Sequence, residues 1–324
     1  MPSGGKQASL TDFGDLLQPS EAAEPILSKE TRAVLLEWLI EIQSEPELIA
    51  ANIPARKRAI FDGPPGVGKT TLAHHLAARL GVPMLLVRPE RLIDCWLGST
   101  GRNIGTLFDL AAAVDEPLVL FMDEFDAVAI KRHASSGPGG GAEEERNSFV
   151  NTLLQRIERH KGFLIAATNF ATHVDPAIWR RFQLQITLEL PGPSECRRIL
   201  QRYLAPYGLP KKALKLFAEA FQGASPALMR EFCEGMKRQI VIGPKVGWDM
   251  RRDAVIDRLV TQIQPYPGQG LPRLWSKDHG GSKDEAVRAL PWPLPLAKDV
   301  RDEPEPERAA APDKVVPFQR AGGG

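Results

Sequence analysis

The chain has 324 residues, 43% hydrophobic and 25% charged, the balance of a globular protein with room for one large domain or two ordinary ones plus tails. Its 41 Lys and Arg are matched by 40 Asp and Glu, so no overall positive charge points to nucleic acid or to a membrane surface. Cys95, Cys196 and Cys233 are far apart and form no C-x-x-C pair, which argues against a disulfide framework or a zinc site and predicts a reducing, cytoplasmic setting.

Residues 1–24 read as a flexible lead-in, MPSGGKQASLTDFGDLL lacking the apolar stretch of a signal peptide. From Glu30 to Ile42 the apolar positions Val34, Leu35, Trp38, Leu39 and Ile42 make the one-sided stripe of an amphipathic helix. RAIFDG (58–63) predicts a short strand entering a glycine turn, and TTLAHHLAARLG (70–81) a helix stopped by Gly81 and Pro83. MLLVR (84–88), LVLFMD (118–123), FLIAATN (163–169) and LQITLEL (184–190) are apolar runs of the kind found in parallel strands covered on both faces. Helical patterns alternate with them, so residues 25–193 are expected to form a doubly wound parallel α/β sheet. Residues 194–260 carry only helical patterns, such as ALMREFCEGMKRQIVI, and predict a small all-α domain. Residues 261–324 are rich in Pro and Gly. They are expected to be disordered or to serve as a peptide-like docking segment, with LPRLW (271–275) and LPWPLP (290–295) as candidate strips. No apolar run approaches the roughly 20 residues of a membrane helix.

GPPGVGKT, residues 63–70, fits the phosphate-loop pattern G-x-x-x-x-G-K-[ST] in full, between a strand and a helix. Glycines allow backbone N–H groups to turn onto phosphate oxygens, and the following helix aims its positive end at the same anion. The stretch Gly63, Pro64, Pro65, Gly66, Val67, Gly68, Lys69, Thr70 and Thr71 is therefore the candidate nucleotide cradle. Lys69 would reach the terminal phosphates, and the Thr70 hydroxyl would help to hold Mg²⁺. In LVLFMDEFD (118–126) the strand carries Asp123 to the Mg²⁺ shell and sets Glu124 beside it to deprotonate an attacking water. That pairing favours hydrolysis of the bound nucleotide over phosphoryl transfer to another substrate. Asp126 reads as a local hydrogen-bonding residue.

In these motifs the sequence resembles the AAA branch of the AAA+ ATPases, over roughly residues 25–245. LIAATN (164–169) looks like the family's sensor-1 strand, which implies contact of Asn169 with the γ-phosphate and the attacking water. DPAIWRRFQLQITLELPGP (175–193) looks like the segment that supplies arginine fingers to a neighbouring subunit, with Arg180 and Arg181 both matching. The resemblance thus implies an Mg²⁺-dependent ATPase working as a homo-oligomeric ring, usually a hexamer. It also places Trp96, Leu97 and Gly98 at the aromatic–hydrophobic–glycine triplet that projects into the central pore to grip a polypeptide. GASPAL (223–228) departs from the family's Gly-Ala-acid form, with Ala227 at the sensor-2 position and Arg230 one turn on. TDFGDL (11–16) is similar to the segment that packs on adenine. The expected work is unfolding, threading or remodelling of a protein, with an adaptor or a separate protease as a possible partner of the C-terminal tail. The absence of His-Glu-x-x-His argues against a built-in zinc protease. The alternative is an AAA+ protein acting on nucleic acid, a loader or transposition-type regulator, for which the basic cluster KRQIVIGPKVGWDMRR (237–252) speaks. The near-zero net charge speaks against it.

Overall fold

A computed structural model describes residues 8–92, 99–129, 141–267, 270–276 and 280–300, with the backbone alone for 99–101, 141–146 and 280–284. The strands are β1 (Gly14–Leu17), β2 (Arg58–Asp62), β3 (Met84–Val87), β4 (Val119–Met122), β5 (Phe163–Thr168) and β6 (Leu184–Thr187). The helices α1 (Lys29–Gln43), α2 (Glu45–Ala50), α3 (Lys69–Leu80), α4 (Pro89–Leu92), α5 (Ser99–Ala113), α6 (Phe125–Val128), α7 (Gly141–Arg159) and α8 (Pro176–Trp179) belong to the sheet domain. Helices α9 (Pro193–Leu204), α10 (Lys211–Ala220), α11 (Pro226–Val246), α12 (Arg252–Gln262) and α13 (Gly280–Ala289) form the helical bundle that follows.

The sheet order is β1-β3-β4-β5-β2-β6, parallel from β3 to β6. Period-two alternation puts Ile60, Leu85, Leu120 and Leu164 on one face, against Ile104 and Leu107 of α5 and Val150 and Leu153 of α7. Phe61, Met84, Phe121 and Ile165 line the other face, against Trp38 of α1 and Leu72 and Leu76 of α3. Both faces are covered, which is why these strands read as unbroken apolar runs.

Two expectations for the ends of the chain are corrected. The lead-in, residues 1–24, is not loose over its described part: β1 pairs antiparallel with β3, from Gly14↔Val87 to Leu17↔Met84. A parallel edge strand leaves a row of unpaired N–H and C=O groups, and the lead-in covers it. Phe13 is buried in the core, Asp15 pairs with Arg88, and Arg91 Nη1 donates to the Thr11 carbonyl at 2.9 Å. The segment similar to an adenine-packing one is thus a strand at the sheet edge remote from β2, although the 3₁₀ turn Pro19–Glu21 behind it packs on α3.

The second correction concerns the tail. Of residues 261–324, expected to be disordered or a docking segment, the described residues up to 300 are built into the bundle. Leu274, Trp275, Leu290 and Leu294 share one core with Phe217, Phe221 and Phe232. Trp275 meets Phe221 and Phe232 edge-on, at 5.7 and 5.8 Å between ring centres, and its Nε1 donates to the Ile263 carbonyl at 2.7 Å. Trp292 Nε1 donates to the Met250 carbonyl at 2.6 Å, and Gly208 N–H donates to the Pro295 carbonyl at 3.0 Å. Indole N–H groups that find carbonyls let large apolar rings be buried without helical or strand periodicity. Residues 301–324 lie outside the described residues.

Candidate nucleotide-binding site

Strand order builds the site. β5 lies between β2 and β4, with Asp62↔Thr168 and Met122↔Ala166 as the last ladder pairs. The three strands therefore release their next residues side by side: the loop from Gly63, Asn169, and the pair Asp123–Glu124. Ligand sites of open α/β sheets form outside these carboxyl ends.

The loop begins at Gly63, where φ is +148° and an added Cβ would lie 2.2 Å from the Leu188 carbonyl oxygen. Only glycine allows this approach to the segment after β6. Gly66, at φ +80°, is constrained by the bundle, because an added Cβ would come within 2.9 Å of Ser225 Oγ and Ala227 Cβ. Its carbonyl accepts from the Ala227 N–H at 3.1 Å. Ser225 caps α11 by accepting from the Leu228 N–H, so the loop meets the N-terminal ends of two helices, α3 directly and α11 across the domain junction.

Lys69 opens α3 and is 7% exposed. Its Nζ donates to the carbonyls of Gly63 at 2.6 Å and Pro64 at 3.1 Å, and to Asn169 Oδ1 at 2.7 Å. Burial pulls its pKa below the ordinary lysine value, with Asp123, Asp62 and Asp126 acting in the opposite direction. Thr70 Oγ1 donates to Asp123 Oδ2 at 2.6 Å, and Asp123 Oδ1 accepts from the Glu124 N–H at 2.9 Å. Glu124 itself is exposed and sits in the left-handed region, φ +48° and ψ +43°, an uncommon conformation for a residue with a Cβ that marks strained functional turns. Two hydrogen-bonded pairs, Lys69–Asn169 and Thr70–Asp123, thus stand side by side because Lys69 and Thr70 are consecutive, with Glu124 next after Asp123. Among the described residues no group of three or more His, Cys, Asp or Glu could hold a metal ion.

The other candidates lie apart. Arg180 is the C-cap of α8, exposed and without a side-chain partner among the described residues. Arg181 is half-exposed and paired with Glu158 of α7. Arg230 faces Glu234 along its own helix at 3.9 Å. Trp96, Leu97 and Gly98 lie outside the described residues. Two features escaped the sequence reading: the docking of Ser225 and Ala227 on Gly66, and the bonds from Asp126 to the end of β5, whose one sequence signal is the carboxylate three places after Asp123. No helix among the described residues is long and apolar enough to cross a membrane.

The profile of the ATPase family associated with various cellular activities (AAA) matches residues 59–190, from β2 past β6. The chain carries an AAA-type ATPase domain. It is 39% identical over 193 residues to an uncharacterized AAA family ATPase of Sinorhizobium fredii, an alignment covering 59% of this chain and 56% of the relative. It is 31% identical over 255 residues to a putative 26S proteasome regulatory subunit homolog of Methanocaldococcus jannaschii, covering 74% and 63%. To the ATP-dependent zinc metalloprotease FtsH of Cutibacterium acnes it is 34% identical over 204 residues, covering 61% and 27%. The chain thus spans less than two thirds of each of these relatives. The crystal structure of the FIGL-1 AAA domain shares the fold, with a TM-score of 0.61 at 20% identity, covering 86% of this chain and 90% of that one.

Proposed function

We propose that the chain binds ATP at the loop Gly63–Thr71, hydrolyses it with Mg²⁺, and does so in a ring of its own copies, expected to be a hexamer, that unfolds, threads or remodels a polypeptide. The observation that carries this reading is the juxtaposition of two hydrogen-bonded pairs, Lys69–Asn169 and Thr70–Asp123, which join the first residues of α3 to the ends of the adjacent strands β5 and β4. A buried ammonium held only by neutral oxygens suits an incoming phosphate. The N–H groups of the loop's non-proline residues and the start of α3 would complete the cradle.

Thr70 and Asp123 would hold Mg²⁺, an ion that retains several waters and needs few protein ligands, and that neutralises phosphate charge when bound. Glu124 is the base for the attacking water, and Asn169 orients that water against the terminal phosphate. Arg180 and Arg181 are the candidates for completing a neighbour's site. Trp96, with Leu97 and Gly98, is the candidate grip on the polypeptide. Relatives named for proteasome regulation and for ATP-dependent proteolysis support a protein substrate. An adaptor or protease reaching the tail would not meet Leu274, Trp275, Leu290 or Leu294 of LPRLW and LPWPLP, because these side chains are buried in the bundle. The buried free thiols of Cys196 and Cys233 suit the cytoplasm.

The test is ATP turnover by wild type, Glu124→Gln and Trp96→Ala, each alone, with unfolded protein and with DNA. Glu124→Gln is expected to bind ATP and not turn it over. Unfolded protein should stimulate the wild type, and Trp96→Ala should keep basal turnover but lose that stimulation. Stimulation by DNA alone would replace this reading with a nucleic-acid role.

A further inference from the structure

Asp126 has no part in the reading above, yet its contacts are specific. It stands in the first turn of α6, two residues after Glu124, which is the N-cap of that helix. Its Oδ1 accepts from the Thr168 hydroxyl at 2.7 Å and from the Asn169 N–H at 3.4 Å. The Thr168 oxygen in turn accepts from the Phe170 N–H at 3.0 Å. One carboxylate and one fully buried hydroxyl thus hold three consecutive residues, Thr168 to Phe170. They do so where the ladder ends: β5 pairs with β4 only as far as Met122↔Ala166, and with β2 as far as Asp62↔Thr168. Beyond those pairs no strand fixes the backbone of Asn169.

We propose that Asp126 is a positioning residue, clipping the end of β5 to α6 so that Asn169 is held in fixed relation to Glu124. The inference rests on the proposed roles of Asn169 and Glu124 in ATP hydrolysis. Glu124 and Asp126 ride on the same turn of chain, so slippage of β5 past α6 would shift Asn169 relative to Glu124. Misplacement of a positioned group by about 1 Å can cost on the order of 100-fold in rate without loss of binding. An Asn at 126 keeps a carbonyl-type acceptor for both bonds, whereas Ala keeps none.

The experiment compares steady-state ATPase and affinity for a non-hydrolysable ATP analogue in full-length wild type, Asp126→Ala, Asp126→Asn, Thr168→Val and the Asp126→Ala/Thr168→Val double variant. Asp126→Ala should lower kcat between about 10- and 100-fold with analogue Kd within about twofold of wild type. Asp126→Asn should recover most of kcat. Thr168→Val should also lower kcat, and the double variant should be no worse than Asp126→Ala, because both changes break one link. If Asp126→Ala does not fold, Thr168→Val decides, since it removes the hydroxyl and keeps the shape. Wild-type kcat in both Asp126→Ala and Thr168→Val, a parallel loss of affinity, or an Asn variant as impaired as the Ala variant would each overturn the positioning role. A wild type without ATP turnover would overturn the reading of the site, and this inference with it.

Discussion

His160 shows how a single side chain ties this fold to pH. It follows α7, lies edge-on to Phe108 with 5.4 Å between ring centres, and has its Nε2 buried without a hydrogen-bond partner among the described residues. Burial pushes its pKa below the ordinary histidine value, against a smaller opposing effect of a backbone hydrogen bond with Phe163. The folded imidazole therefore stays neutral at a pH where the unfolded chain, with a histidine pKa of about 6.5, takes up a proton. The unfolded state then binds more protons, so stability falls as pH drops through about 6.5 and keeps falling until the lowered folded pKa is reached. His160→Phe removes this sensitivity. Urea midpoints at pH 7.5 and 5.5 should show the variant gaining on the wild type at the lower pH; an unchanged difference would mean that the folded imidazole accepts the proton freely. Nothing in the sequence around His160 announces this, because whether a ring nitrogen finds a partner is settled by the neighbouring layer. Lys69 is the contrasting case, since the phosphate-loop pattern names the residue and the geometry adds only its partners.

At the scale of elements, the bundle that follows the sheet needs the segment beyond α12. Trp275 is 8% exposed, and its ring closes over Phe221 and Phe232. Truncating a buried aromatic to alanine typically costs about 3–5 kcal/mol. Trp275→Ala should lower stability by an amount in that range, measured by denaturant unfolding. Leu271→Ala, at a position 66% exposed four residues earlier, should be close to neutral. Ending the chain at residue 264 should expose the aromatic cluster and cause aggregation or loss of the bundle. A stable truncated chain would show that the segment is only docked. The composition of this segment pointed the other way. Its buried residues are Ala286 and Val287 of the short helix α13 and Leu274, Trp275, Leu290 and Leu294 around it, and the Pro and Gly that flank this one helix mimic a tail. Periodicity reveals regular elements facing one core, and it is silent on an irregular strap held by indole-to-carbonyl hydrogen bonds.

For the whole molecule, the two adjacent arginines differ in what their own chain leaves them to do. Arg181 is paired with Glu158 of the same subunit, whereas Arg180 is exposed and without a partner among the described residues. If sites are completed between copies, Arg180 is the side chain available to cross. Arg180→Ala should then reduce ATP turnover on the order of 1000-fold, with a smaller effect of Arg181→Ala. Mixing Arg180→Ala with Lys69→Ala chains should recover activity, because each mutant supplies what the other lacks at shared interfaces. Failure of the mixture to exceed its components would place Arg180 outside any such site.

The sequence by itself determined the five parallel strands, the helix after the phosphate loop, and the order of Lys69, Asp123, Glu124 and Asn169 along the chain. These rest on local physics: apolar runs buried on both faces, a glycine-lysine turn before a helix, and acids at a strand end. Only the tertiary structure decided that Lys69 reaches Asn169, that Asp126 reaches Thr168, that the lead-in becomes an edge strand, and that the proline-rich segment fills a core. Each of these joins residues distant in sequence, as Lys69 and Asn169 are, 100 positions apart. Such pairings depend on strand order and on which layer covers which face, and no local pattern encodes either.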